Sequence, residues 1–367
     1  MKRKVKNFLL DSLNGMTFGI FGTIVIGAIF QTMGIIFGID ILVHRVAPIL
    51  TQLLGAGIGL SIGLALKADG LKLIMLTVSG GIASMLKIDF SMPGFYDPNL
   101  MPNNPITAYI VVVLVFLTLN LIFNKKTVYD LFFIPVVGVF SALIFSFIIS
   151  WPIDKLMELI YQTINLFMNL EPYLTSAFIS LIFGILLTLP FISSAGVAVA
   201  VFTVPFLANE QTAVIAMLAA LIGCTTQMVG FSVQTLRKNN VGSIFTIGLA
   251  SSMFHFKNIL KKPTTWMPTL IVSFVLAPLS YLVFDKYSWF INSIPNDHTF
   301  SAVWAGMGSS GLVGQLQVLS IANFSLMSWI FSVSVIIMSG LLVYLLDVLF
   351  IKFNWYHEDD LILKSDI

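Results

Sequence analysis

The chain has 367 residues, 57% of them hydrophobic and 10% charged, with a formal net charge of +2 and a mean hydropathy of +0.97. Soluble domains carry about a quarter charged residues, so this composition excludes an ordinary soluble enzyme and points to a polytopic protein of the lipid bilayer. The near-neutral balance gives no ground for nucleic-acid binding, and a single cysteine, Cys224, excludes an internal disulfide and a CxxC metal or redox site.

The chain opens on the basic run MKRKVKNFLLDSLNG and passes into a long apolar stretch, so it reads as a retained first helix rather than a signal peptide. A span needs about 20 mostly apolar residues. On that rule spans fall near 13–37, 46–66, 71–87, 106–123 and 130–151. Residues 88–104, rich in Pro and Asn, read as a surface loop. In 152–171, Pro152 can open a helix in which Asp154, Lys155, Glu158 and Gln162 alternate with apolar residues. That is the pattern of an amphipathic helix at the interface, or of a linker. Further spans fall near 173–190, 211–235, 241–258, 265–284 and 324–351, with a broken apolar stretch at 191–209 and a polar loop at 285–300 that carries Asp297 and His298.

The expected fold is an all-α integral membrane protein of about ten transmembrane helices with re-entrant or broken segments. Its expected parts are an N-terminal transmembrane half (1–151), a linker (152–172), a C-terminal half with the solute site (173–353) and a cytoplasmic tail (354–367). Lysine and arginine collect on the cytoplasmic side of short loops. Lys2, Arg3, Lys4, Lys6, Lys125, Lys126, Lys257, Lys261, Lys262 and Lys352 then place both termini in the cytoplasm, while Arg45, Arg237 and Lys238 are left outside. Leu66-Lys67-Ala68-Asp69-Gly70 echoes Leu236-Arg237-Lys238-Asn239-Asn240 at an offset of five spans. Two five-helix halves forming an inverted repeat and chance similarity both account for it.

Three uncharged polar interruptions stand out in the second half. They are Pro190 to Gly196 with Ser193 and Ser194, Gly223 to Gly230 with Thr225, Thr226 and Gln227, and Ala305 to Gln315 with Ser309, Ser310 and Gln315. Broken segments at membrane depth are the best sequence pointer to a transport site. Uncharged hydrogen-bonding groups suit a neutral, hydroxylated solute such as a sugar. The glycine-rich third stretch reads either as a re-entrant loop or as a close packing seam between helices. Gln227 reads either as a solute contact or as an interhelical hydrogen bond. His255 is a further candidate, as a site residue or an interfacial one, and Asp347 reads as structural. There is no HExxH, Walker loop or GxSxG, and no carboxylate pair in apolar context. No catalytic residue, metal ligand or cofactor is therefore expected.

At the same patches the sequence resembles enzyme IIC, the membrane component of the bacterial sugar phosphotransferase system, in the stand-alone branch that includes toxin-regulator membrane proteins. The strings that carry the resemblance are Leu187-Thr188-Leu189-Pro190, Gln227-Met228-Val229-Gly230-Phe231, Gly248-Leu249-Ala250-Ser251-Ser252-Met253, Trp266-Met267-Pro268 and Gly306-Met307-Gly308-Ser309-Ser310-Gly311-Leu312-Val313-Gly314-Gln315. In the first half Leu13-Asn14-Gly15-Met16 and Ala65-Leu66-Lys67-Ala68 also fit. The resemblance implies a permease of the bacterial cytoplasmic membrane, usually a homodimer, whose sugar is phosphorylated by separate IIA and IIB proteins. The chain departs from it in two ways. Sugar-transporting relatives carry a Glu in the re-entrant loop, where this chain has Gln315, and a sugar-contacting His to which His255 does not correspond. Cys224 does not correspond to a IIB phosphorylation cysteine. A phosphorylation-independent transporter and a membrane sensor on the same scaffold are the alternative readings.

Overall fold

The computed structural model describes residues 2–68, 70–86, 105–190, 192–198, 201–202, 210–294 and 302–363. The expected loop at 88–104, together with Asp297 and His298, lies outside the described residues. Among the described residues every regular element is helical. Among the described residues six helices are long and apolar enough to cross a membrane, and Leu42–Gln52 with Leu54–Ala65, bent by 45°, forms either a broken span or a re-entrant loop. Gly70–Met85, Pro172–Thr188 and Ser310–Ile321 are shorter apolar helices. The chain divides into two compact units, Met1–Glu158 with Pro190–Ile192, and Leu159–Leu189 with Ser193–Ile367.

In the first unit Lys2–Ile20 continues through a π-turn at Phe21–Val25 into Ile26–Phe37, which ends on the left-handed Gly38. Its core gathers Met16, Ile58, Leu76, Val111 and Val115. Lys72 donates from Nζ to Asn120 Oδ1 and to the Phe123 carbonyl, both at 2.8 Å, which sets a cation on the C-terminal end of Pro105–Ile122.

Asp130–Met168 is a single helix of 39 residues with Pro135 and Pro152 inside it. A new helix opened by Pro152 is thus corrected: the expected span 130–151 and the amphipathic segment after it share one helix. A proline removes one helical donor. Ending the helix in apolar surroundings would strip several more backbone groups of partners, so the helix runs on.

In the second unit Glu210–Thr235 is the central helix, with 94% of its most apolar window buried. Pro172–Thr188, Met267–Val283 and Leu326–Lys352 pack around it. Gly223 makes the closest of these approaches. A Cβ at that position would overlap the Ser180 carbonyl of Pro172–Thr188, so only hydrogen fits. Gly223→Leu is expected to lower stability by about 1–3 kcal/mol through overpacking, read as an earlier thermal transition in detergent. Gly22→Ala, where an added Cβ would meet nothing within 4 Å, should leave that transition in place or raise it.

Candidate functional site

Two segments of the second unit break away from regular helix and meet against the middle of the central helix. The first is residues 241–262. Asn240 caps its opening helix, Val241–Leu249, by accepting from Ser243 N at 2.8 Å. The chain then breaks at Ala250 and Ser251, turns through Ser252–His255 and continues as Phe256–Lys261. Nine helical residues extend about 14 Å, far short of the roughly 30 Å of bilayer hydrocarbon. The two ends of the segment also come together. Asn239 Nδ2 donates to the Leu361 carbonyl at 3.1 Å, and Asn258 Nδ2 donates to the neighbouring Ile362 carbonyl at 3.2 Å. The segment is therefore a hairpin that enters and returns at one end of the unit, and the expected span over 241–258 is corrected.

This also removes an anomaly in the charge pattern. Arg237 and Lys238, which ten crossings would leave outside, lie within ion-pair distance of Glu358 and Asp359 in the tail. They share an end of the unit with the C-terminal tail.

The second broken segment is the glycine–serine stretch. Ala302–Gly306 and Ser310–Leu312 are 3-10 turns, with positive φ at Gly308, Gly311 and Leu312, before the helix Val313–Ile321. Gly308, at φ +55°, lies flat on the central helix: a Cβ there would sit 2.6 Å from the Cys224 carbonyl carbon. A side chain is barred both by space and by backbone conformation. The stretch is irregular backbone, and its glycines also form a packing seam.

Its polar groups knit three breaks together. Ser194 Oγ donates to the Gly306 carbonyl at 2.6 Å. Ser309 Oγ donates to Gly248 O at 2.7 Å, and Ser310 Oγ to Ala250 O at 3.0 Å, both at the tip of the hairpin. Thr188 and Ser252 hydroxyls meet at 3.2 Å and link the end of Pro172–Thr188 to the same tip. Gln315 donates from Nε2 to Thr225 Oγ1 at 2.8 Å, while its Oε1 is buried with no donor among the described residues. Thr225 lies ten residues from the Thr235 end of the central helix, about 15 Å along its axis. The knot is therefore well inside the helix.

The other sequence candidates fall elsewhere. Successive residues point about 100° apart around a helix, so Thr225, Thr226 and Gln227 cannot share one face. Thr226 pairs with Ser339 at 2.9 Å. Gln227 is paired at both ends of its amide: Oε1 accepts from Trp266 Nε1 and Thr269 Oγ1, both at 2.9 Å, and Nε2 donates to Ser273 at 3.1 Å. Ser193 caps a short helical turn by accepting from Gly196 N at 3.1 Å. His255 stacks on Phe231, with ring centroids 4.9 Å apart, and pairs with Thr235 at 2.8 Å near the base of the hairpin. The sequence reading missed Thr188, Ser252 and Trp304. Trp304 is buried with an indole N–H that finds no acceptor among the described residues. An indole beside a bare-backbone stretch was the available signal for it.

Gln227→Leu strands the part-buried Trp266 indole donor and removes the amide partner of Ser273, while the Thr269 hydroxyl keeps the Trp266 carbonyl at 3.0 Å. Stranded donors cost about 1–3 kcal/mol, so the variant is expected to melt earlier in detergent. A melting point equal to that of the parent chain would show the Gln227 node to be dispensable.

A family model described as the phosphotransferase system EIIC matches residues 10–363, nearly the whole chain. No curated protein and no solved structure matches. With its multiple apolar, membrane-length helices, the chain belongs to the phosphotransferase-system EIIC family, the membrane permease component of such systems.

Proposed function

We propose that this permease carries a neutral, hydroxylated solute, a sugar, and that separate IIA and IIB proteins phosphorylate it during transport. The reading places a homodimer in the bacterial cytoplasmic membrane with both termini cytoplasmic, on the family's usual form and on the lysine clusters. The solute site falls in the C-terminal half, 173–353, where Gln315, Thr225, Ser194, Ser309 and Ser310 surround irregular backbone.

One observation carries the site. Gln315 is held by Thr225 through one end of its amide, and its carbonyl oxygen is buried with no donor among the described residues. A buried, unpaired acceptor costs about 1–3 kcal/mol, and a solute hydroxyl donating to it removes that cost. Alternating access would follow from movement of one helical unit against the other.

A second reading has its own support. The glycine–serine segment carries an amide where sugar-transporting relatives carry a carboxylate, and an amide cannot take a proton from the sugar hydroxyl. That favours transport without phosphorylation. Gln315→Leu is expected to cut solute uptake at least about tenfold, one hydrogen bond's worth, while the protein still inserts and melts close to the parent chain. Uptake at the parental rate would remove Gln315 from the site. Uptake of a labelled sugar panel, with and without the general phosphocarrier protein, separates the two readings. Accumulation of sugar phosphate only when the phosphocarrier is present is the expected result. Phosphocarrier-independent uptake of unmodified solute supports the second reading.

A further inference from the structure

The tail after Leu326–Lys352 folds back and joins both ends of the re-entrant hairpin. Leu363 N donates to Asn239 Oδ1 at 2.8 Å, and Asn239 Nδ2 returns a bond to the Leu361 carbonyl at 3.1 Å. Asn258 Nδ2 reaches the peptide between them, at Ile362 O, over 3.2 Å. Residues nineteen positions apart, Asn239 and Asn258, are thus tied through three consecutive residues of the tail.

Charge holds the same region. Arg237 Nη1 lies 3.3 Å from Asp347 and 3.4 Å from Glu358, and Lys238 lies 3.5 Å from Asp359. Beneath these pairs, Tyr356 is fully buried and donates to Asp347. Burial first, and the adjoining carboxylate second, push the Tyr356 phenol well above its ordinary value, so it remains a donor. Gln234 Nε2 donates to Tyr356 at 3.0 Å. Leu363 packs on the apolar cluster of Phe231, Ile247 and Ile259, which joins central helix and hairpin.

We propose that residues 355–363 are a clasp that sets how readily the hairpin 241–262 leaves the central helix. The far end of that hairpin supplies the Gly248 and Ala250 carbonyls that hold Ser309 and Ser310. Through them the clasp governs the solute site, and this part rests on the transport reading above. The clasp is built to open. Its ion pairs are partly exposed, with Lys238 and Asp359 side chains 44% and 76% accessible, and such pairs hold weakly. Gln234 Oε1 has no donor among the described residues while the clasp is closed, so water gained on opening offsets part of the loss.

The test uses the full chain in nanodiscs and reads backbone hydrogen exchange, which needs no solute. Reversing the tail charges with Glu358→Lys and Asp359→Lys is expected to speed exchange across 241–262 by about tenfold, with 105–122 unchanged. Should the double reversal fail to insert, Glu358→Gln gives a smaller rise in the same segment. Conversely, a disulfide between Asn239→Cys and Leu363→Cys should slow exchange in 241–262 and lower uptake until reductant is added. Unchanged exchange in both the charge variants and the disulfide overturns the clasp. Faster exchange in a protein that moves no sugar upholds the clasp and removes the transport reading alone.

Discussion

Hydrocarbon offers no water to a bare peptide group, and that constraint shapes the whole second unit. A chain in the bilayer core can break its helices only where protein takes over the lost hydrogen bonds. Here it breaks them at the end of Pro172–Thr188, at Ala250 and across 306–312. The backbone of the second and third is served by side chains of another break, and the first is tied to the second through Thr188 and Ser252. Ser194 serves Gly306, Ser309 serves Gly248 and Ser310 serves Ala250. The hydroxyls look like a solute site in the sequence, and their first duty is to make the irregular backbone tolerable. Among the described residues the Gln315 carbonyl and, in the same stretch, the Trp304 indole N–H are left without a protein partner. On the transport reading proposed above, that surplus marks a binding residue rather than a supporting one.

Close approach is the second half of the same solution. Backbone can be satisfied across segments only if the segments nearly touch, and the glycines make that contact. A Cβ at Gly306 would overlap the Ser194 carbonyl, one at Gly223 would overlap Ser180, and one at Gly308 would reach Cys224. The central helix, buried over almost all of its length, is the wall against which they press. Its own polar side chains then divide by direction. Thr225 faces the knot, Thr226 faces Leu326–Lys352 and Gln227 faces Met267–Val283.

How much of this the sequence made legible follows from what each signal measures. Hydropathy measures transfer into lipid, so it located the long helices within a few residues, as at Pro105–Ile122 and Leu326–Lys352. It does not measure whether a segment crosses. Val241–Leu249 and Phe256–Lys261, strung together, have the length and apolarity of a span, and only their shared partners in the tail reveal a hairpin. The charge pattern already held the clue. Arg237 and Lys238 fitted no ten-crossing scheme, and the acidic run Glu358-Asp359-Asp360 had no assigned partner. Joined to each other, they bring both ends of the hairpin to one side. Two of the three polar interruptions, around 190–196 and 305–315, are breaks, whereas 223–230, expected as a broken segment, is unbroken helix within Glu210–Thr235. The sequence did not say which amide would be paired. Helical geometry alone forbids Thr225, Thr226 and Gln227 from facing one solute, but choosing among them takes the positions of Ser273, Trp266 and Thr269.

Gln315 also bears on how such a site handles a charge. An ionised carboxylate at this depth would pay heavily for desolvation unless a cation or several donors stood beside it, and its nearest assigned partner is the neutral Thr225 hydroxyl. A neutral amide avoids that penalty and still presents an acceptor to a hydroxyl. What it gives up is proton capture. A sugar hydroxyl bound to Gln315 remains a hydroxyl, so any phosphoryl transfer would need its base from another group or another protein. The substitution therefore separates binding from chemistry. On the transport reading proposed above, the membrane unit would recognise and release a hydroxylated solute through its own hydrogen bonds, and activation of that solute would fall to whatever docks on it.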